Sequence, residues 1–470
     1  MNKIRKLLGL LFALVLLTSM FAACQNDAGN GADTTAPAEQ EEAAPEPEPE
    51  DPPAQEEDPP AEPEDPPAQE EDPPAAEVQL HFMSNGAEHI YTLLAETIAS
   101  FQMDGVTIFH DHVMGTTADY LERLEIMFAA NEFPDVIYLP AVWTKRYAAM
   151  GIAQDLTDLV CADYVADFAE GPMTVVTVDG RYMGLPMFSD CIAVYYNVEM
   201  FEQAGITDVP TRHEDAWTWD EILDVASRVQ EANNTLYGIG VSADLSNLIT
   251  FIWHAGSRVM SPDQSTVVIN QPGTHEMLYW FRYEWVNTGL SSAEMLAGVE
   301  NSNDFFTHQL IPIAITWSGM AGAFIRDIED FTVGVTFMPR HRLATTRIGG
   351  WNIGIFNATE HLDESIALMK HILEPENMNR IAVATGNMPS RFSAQESIVF
   401  EGPLAEWAPI FMEQIATVDP IAIEDSISVA YGIFKPLVEA EFENFIINPN
   451  ITAEEAAAEM EAQLIQAIFP

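Results

Sequence analysis

His110, Asp111 and His112 stand in the apolar stretch GVTIFHDHV (105–113), where alternation would set both imidazoles on one face of a strand. Two imidazoles begin a metal site, but no third ligand falls at a suitable spacing, so no metal is expected. GIGVSA (238–243) imitates half of a glycine-rich phosphate loop without opening a helix of the right kind. Carboxylate pairs could supply a glycosidase's acid and base. With 73 acidic residues, though, chance pairs abound and no motif singles one out. What remains is a set of aromatic and polar side chains near strand ends. Trp143 follows PDVIYL (134–139), Trp317 follows IPIAIT, Trp351 follows the two glycines of IGGWNIG, and Ser84, Asn85 and Glu88 lie around the end of VQLHFMS. Flat rings can stack on the apolar faces of a ligand, and carboxylates or amides can bind its hydroxyls. Trp253 joins the aromatic candidates, with His254 and Arg391 as weaker polar ones. The competing reading is a core position for each ring and a solvated turn for each polar residue. No cofactor is called for.

Cys24 carries chemistry of a different kind. Lys3, Arg5 and Lys6 precede the apolar run Leu7–Ala23, and two small residues stand directly before the cysteine. Charge order and length are those of a secretory signal peptide, and the pattern resembles a bacterial lipoprotein signal, with Phe21 where leucine is more usual. On that reading residues 1–23 are removed, and acyl chains on Cys24 anchor the protein at the extracellular face of the cell membrane. Two or more chains hold stably at roughly 0.8 kcal/mol per buried CH₂. An uncleaved membrane helix is the alternative, since a run of 17 mostly apolar residues approaches the lower limit for a span. From Gln25 to Glu77 there are 19 acidic residues and no Lys or Arg, and EDPPAQEEDPP occurs at 50–60 and again at 64–74. Proline withholds a backbone donor and like charges repel, so residues 24–77 read as a disordered, extended tether of roughly 3.1 Å per residue.

The remaining 78–470 suits two lobes better than one core. It keeps 54 of the 73 acidic residues and 16 of the 19 basic ones, a balance that repels nucleic acid and anionic lipid. Lys145, Lys370 and Lys435 are its only lysines. Cys161 and Cys191 could pair outside the cell or remain two buried thiols; spacing does not decide.

Hydrophobic periodicity places strands at 78–84, 105–113 and 134–139, with helices at about 88–102 and from Asp119 onward. This is the rhythm of an α/β fold with a sheet covered on both faces and ligand sites at strand carboxyl ends. CIAVYYN (191–197), FFTHQLIPIAITWSG, FTVGVTFMP and RIGGWNIGIFNA supply further strands. TWDEILDVASRVQEAN opens on a capping box of Thr218 and Glu221.

In order, FAANEFPDVIYL, VDGRYMGLPMFSDCIAVYYNVEMFEQAGI, WTWDEILDVASRV, FFTHQLIPIAITWSG, VGVTFMP, GGWNIGI and TAEEAAAEMEAQL resemble the extracellular solute-binding proteins of ATP-driven importers. The likeness is to their carbohydrate-binding, maltose-binding-protein-like branch. Gln309-Leu310 and Pro312-Ile313 depart from it, standing where a Gly-Lys and an Ala-Met pair are usual. The resemblance implies a two-lobe periplasmic-binding-protein fold of type II, hinged around a central cleft. The lobes would be 78–188 with 340–373 and 189–339 with 374–470, the chain crossing near Phe188–Cys191, near Met338–Arg340 and after Leu373. It further implies Asp190 as a sugar-binding carboxylate, Tyr431 as a stacking ring, the Trp143 loop as part of the site, and permease transmembrane subunits as partners of a monomer. A surface polysaccharide hydrolase and a sensory sugar-binding subunit are the alternatives. Cys24→Ser should move the protein from the membrane to the soluble fraction on cell fractionation; unchanged membrane association would remove the lipid anchor.

Overall fold

The computed structural model describes residues 77–241 and 244–469; the leader, Cys24 and the acidic tether up to Ala76 lie outside them. β1 (Val78–Gly86), β2 (Val106–Met114) and β3 (Val136–Pro140) run parallel, with β1 between the other two. Helices α1 (Glu88–Ala99) and α2 (Thr117–Ala129) connect them. Parallel neighbours require such crossovers, and Thr116 starts the second by a reciprocal capping box with Asp119.

Later strands complete the sheet. They are β4 (Leu185–Asn197), β5 (Gly240–Val241), β6 (Ile313–Trp317), β7 (Val333–Thr336), β8 (Ile348–Ile355) and β9 (Met388–Pro389). Among the described residues the nine strands follow the order β2-β1-β3-β8-β4-β6-β5, with β9 and β7 also pairing β4. β8 is antiparallel to both β3 and β4, so the sheet is mixed.

Alternation along the strands divides the interior. Leu80, Phe82, Val136, Tyr138, Leu185 and Met187 enter one cluster, while Met83, Ile137 and Leu139 enter another on the opposite face. Beyond the middle of β4 the same rule holds with new neighbours. Ile192 and Val194 join Ile313 and Ile315, whereas Cys191, Ala193 and Tyr195 join Ala314, Phe324 and Phe411. Each half of the sheet is therefore covered on both faces, which accounts for its near-continuous apolar runs.

β4 belongs to both halves. Leu185–Cys191 pairs β8, and Ile192–Asn197 pairs β6 and β7. At the change of partner, the Ile192 N–H donates to Thr346 Oγ1 (2.9 Å), and the Ile192 carbonyl accepts from the Thr346 hydroxyl (3.0 Å) and from the Gln414 amide. The second crossing lies here, between Thr346 and Ile348, rather than at Met338–Arg340. Arg340 is still tied to the second half, its N–H donating to the Trp217 carbonyl at 2.7 Å.

The third crossing is also later than Leu373. Helix α4 (Pro375–Thr385), after α3 (Leu362–Ile372), buries Met378, Ile381 and Ala382 in the first core, and Arg380 donates to Thr97 Oγ1 of α1 at 2.5 Å. The chain reaches the second half between Ile398 and Leu404. Most of 374–398 thus packs with the first half, although Met388 enters the cluster of Cys191 and Tyr195, and Ala384 and Gly386 lie against Gly322 and Ala321.

Local chemistry accounts for the other departures. Asn301 caps a helical turn at Ser302–Thr307, where a strand was expected, and only Ile313–Trp317 of that segment is extended. Gln309, standing where the resemblance has a Gly-Lys pair, adopts a left-handed φ of 58° and so takes the turn without glycine. Cys161 is exposed and Cys191 buried, both as free thiols. Among the described residues no helix is long and apolar enough to cross a membrane.

The paired glycines Gly349 and Gly350 let β8 press on β4. Gly350 has φ +133°, and a Cβ there would overlap the Phe188 carbonyl. Gly350→Ala should lower stability by about 1–3 kcal/mol from backbone strain alone, read as an earlier urea midpoint; an unchanged midpoint would mean that this close approach is dispensable.

Candidate functional site

The strand ends and helix starts that meet at the crossing surround a cavity of about 910 Å³. Asp190 of β4, Trp317 at the end of β6, Trp351 of β8, Trp143 in the turn after β3, and Tyr431 and Gly432 at the start of the long helix Tyr431–Ile447 all line it. The two halves touch at its rim. A Cβ on Gly432 would stand 3.0 Å from the Trp143 ring and from Arg146 Nη1, so glycine lets the helix ride against the indole.

Each ring is set by its neighbours. Trp351 stacks on Tyr138, centroids 4.5 Å apart and planes 11° from parallel, leaving its other side toward the cavity. Trp317 folds over Gly319, where a Cβ would overlap the ring. The Arg146 guanidinium lies over Trp143 at 4.8 Å.

At the cavity floor the Arg347 Nη2 donates to Asp190 Oδ1 at 2.6 Å, with both side chains largely buried. Burial pushes the Asp190 carboxyl upward while the neighbouring guanidinium pulls it back down. Lys435 reaches Asp244 and Glu439, each at 2.6 Å. Burial works against its ammonium, but the two carboxylates together hold its pKa above the ordinary lysine value. Asp244 also caps the helix Leu245–His254 through the Ser246 N–H at 2.8 Å. The Thr316 hydroxyl is fully buried and finds no partner among the described residues, although its residue lines the cavity.

Five of the nine side chains selected from sequence for ligand contact therefore meet here: Trp143, Asp190, Trp317, Trp351 and Tyr431. The others do not. Trp253 is wholly buried within Leu245–His254, its indole N–H donating to Asp425 at 2.9 Å, so it is a core residue. Ser84 is buried between the two imidazoles, its Oγ 2.7 Å from His110 Nε2 and 2.8 Å from His112 Nδ1. The rings do share a face, bridged by a hydroxyl; burial brings His110 down to about 4, and no group of three metal-ligating residues exists among the described residues. Asn85 is buried beside this cluster and Glu88 opens α1; neither lines the cavity. His254 is held by Trp219 and the Thr345 carbonyl, and Arg391 by Asp167 and the Leu373 carbonyl. Sequence reasoning missed Arg347, Lys435, Asp244 and Glu439. The available signal was the rarity of cations in so acidic a chain.

Residues 96–406 match the model of the bacterial extracellular solute-binding protein family. The chain belongs to that family. Its members bind solutes and do not transform them. The fold is similar to the GacH receptor of Streptomyces glaucescens, solved unliganded and with acarbose (16% identity, TM-score 0.69, covering 83% of this chain and 98% of that one). It is also similar to an ABC substrate-binding protein of Listeria monocytogenes in complex with cycloalternan (17% identity, TM-score 0.71, 83% and 99%). These likenesses establish a mixed α/β periplasmic-binding-protein fold. A Brucella abortus protein named as a binding protein is 22% identical over 224 residues, 47% of this chain, which spans 53% of that relative's length. An arabinooligosaccharide-binding protein of Halalkalibacterium halodurans is 20% identical over 292 residues, 60% of this chain and 63% of its own.

Trp253→Phe should cost about 1–3 kcal/mol in urea unfolding, because Asp425 loses a buried donor, and leave solute affinity within twofold. A large affinity loss with unchanged stability would return Trp253 to the site.

Proposed function

We propose that this protein captures an oligosaccharide in the cleft at the β4 crossing and delivers it to the transmembrane subunits of an ATP-driven importer. It does so from a lipid anchor on Cys24 at the extracellular face of the membrane, as a monomer. The observation that carries the reading is the convergence of Trp143, Trp317, Trp351 and Tyr431 around the Asp190–Arg347 pair in one cavity of about 910 Å³. Apolar faces with a few fixed polar groups are what a sugar needs from a site of this size. An unpartnered, buried Thr316 hydroxyl adds a group suited to a ligand hydroxyl. The names of the relatives point the same way, one for arabino-oligosaccharides and two solved with acarbose or cycloalternan.

The two packed halves give the binding step its readout. They are joined by a few crossing segments, so a ligand touching both favours the closed arrangement by its differential contacts. No bond in the sugar is made or broken.

Titration of the purified protein with malto- and arabino-oligosaccharides should quench or shift tryptophan fluorescence, raise the melting temperature and return the sugar unaltered on chromatography. Asp190→Ala should weaken the best ligand at least tenfold, roughly 1.4 kcal/mol. Shortened sugar products would replace this reading with a hydrolase, and wild-type affinity in the variant would take Asp190 out of the site.

A further inference from the structure

The charges around the cavity are unevenly matched. Five carboxylates line it, those of Glu122, Glu125, Asp190, Asp244 and Glu439, against the three cations Arg146, Arg347 and Lys435. Each cation is already held. Arg146 donates to Glu125 at 2.7 Å, Arg347 to Asp190 at 2.6 Å, and Lys435 to Asp244 and Glu439 at 2.6 Å.

A carboxylate or phosphate on an incoming sugar would need a cation to replace its lost hydration. Here it could gain one only by breaking an existing pair, which would strand a protein carboxylate in its place. It would also meet a lining with two more carboxylates than cations, within a chain whose formal net charge is −54. Hydroxyls meet no such obstacle. They can donate to the carboxylate oxygens left over from each pair and accept from the guanidinium and ammonium protons not engaged in it.

Resting on the oligosaccharide reading above, we infer that the cleft selects uncharged oligosaccharides and rejects acidic ones, because every cation that lines it is already held by a carboxylate. Glu125, Asp244 and Glu439 are then specificity-determining residues: by occupying the cations, they deny them to an anionic ligand. Glu125 is the accessible handle, being half-exposed and paired with one arginine only.

The test compares three forms of one sugar on the purified protein: neutral malto- or arabino-oligosaccharides, derivatives oxidised to one carboxylate at a primary alcohol, and the methyl esters of those derivatives. Fluorescence titration should give esters within a few-fold of the neutral sugar and free acids at least tenfold weaker than their esters. Glu125→Gln, which frees Arg146, should raise the acid-to-ester affinity ratio at least fivefold. Acids binding as tightly as their esters would overturn the charge argument and leave the oligosaccharide reading intact. So would esters lost together with acids, because shape rather than charge would then exclude both, or an unmoved ratio in Glu125→Gln. Absence of binding by every neutral sugar would instead overturn the oligosaccharide reading, and this inference with it.

Discussion

One strand ties the two halves of the molecule together. β4 pairs β8 through Cys191 and then β6 and β7 from Ile192, so its midpoint lies where neither core can cover it completely. A side chain at that midpoint must sit between the halves, and Asp190 is the residue there. A carboxylate in such a place loses much of its water, and Arg347, one residue beyond the return crossing at Thr346, supplies the compensating charge. The cavity follows from the same constraint. Trp317 and Trp351 are the neighbours of β4 at the partner change, Trp317 directly opposite Ile192 and Trp351 opposite Phe188.

The acidity of the chain makes the placement of its cations informative. With only 16 Lys and Arg between residues 78 and 470, three at one cavity is a concentration, and all three are engaged by carboxylates. They brace the rim and floor of the site, joining α2 to the Trp143 turn, β4 to β8, and the helix Leu245–His254 to the helix that starts at Tyr431. Rigid, mutually satisfied pairs present their remaining donors and acceptors in fixed directions, which suits recognition of hydroxyls more than of charge.

Much of this was legible in the sequence, for reasons that differ by residue. Trp317 and Trp351 end or interrupt apolar runs, and a strand end is where an α/β fold opens its sites. Asp190 and Tyr431 rested on ordered resemblance, since neither spacing nor composition distinguishes them. Trp253 was not legible as core, because one ring in the apolar helix Leu245–His254 does not disclose which neighbours surround it; nearly every residue of that helix is buried. Ser84 looked like a loop hydroxyl because its partners, two imidazoles on the adjacent strand, appear only when β1 and β2 pair in register. Lys435 and Glu439 stand four apart on one helix, but the other partners are distant in sequence, Asp190 and Arg347 by 157 residues and Lys435 and Asp244 by 191, and local patterns carry no trace of those pairs. The same limit displaced the third crossing. Helix α4 shows Met378, Ile381 and Ala382 on one face, but which half they enter is decided by α1, nearly three hundred positions earlier.

The most direct measurement is a crystal structure of the protein with its best-binding oligosaccharide. The account predicts a sugar ring lying along the Trp351 or Trp317 indole with a hydroxyl within hydrogen-bond distance of Asp190, and the two halves contacting it together. A sugar seated in the smaller cavity of about 550 Å³ lined by Lys145, Asp179, Arg181 and Glu424, or on one half alone, with Asp190 and the indoles untouched, would contradict it.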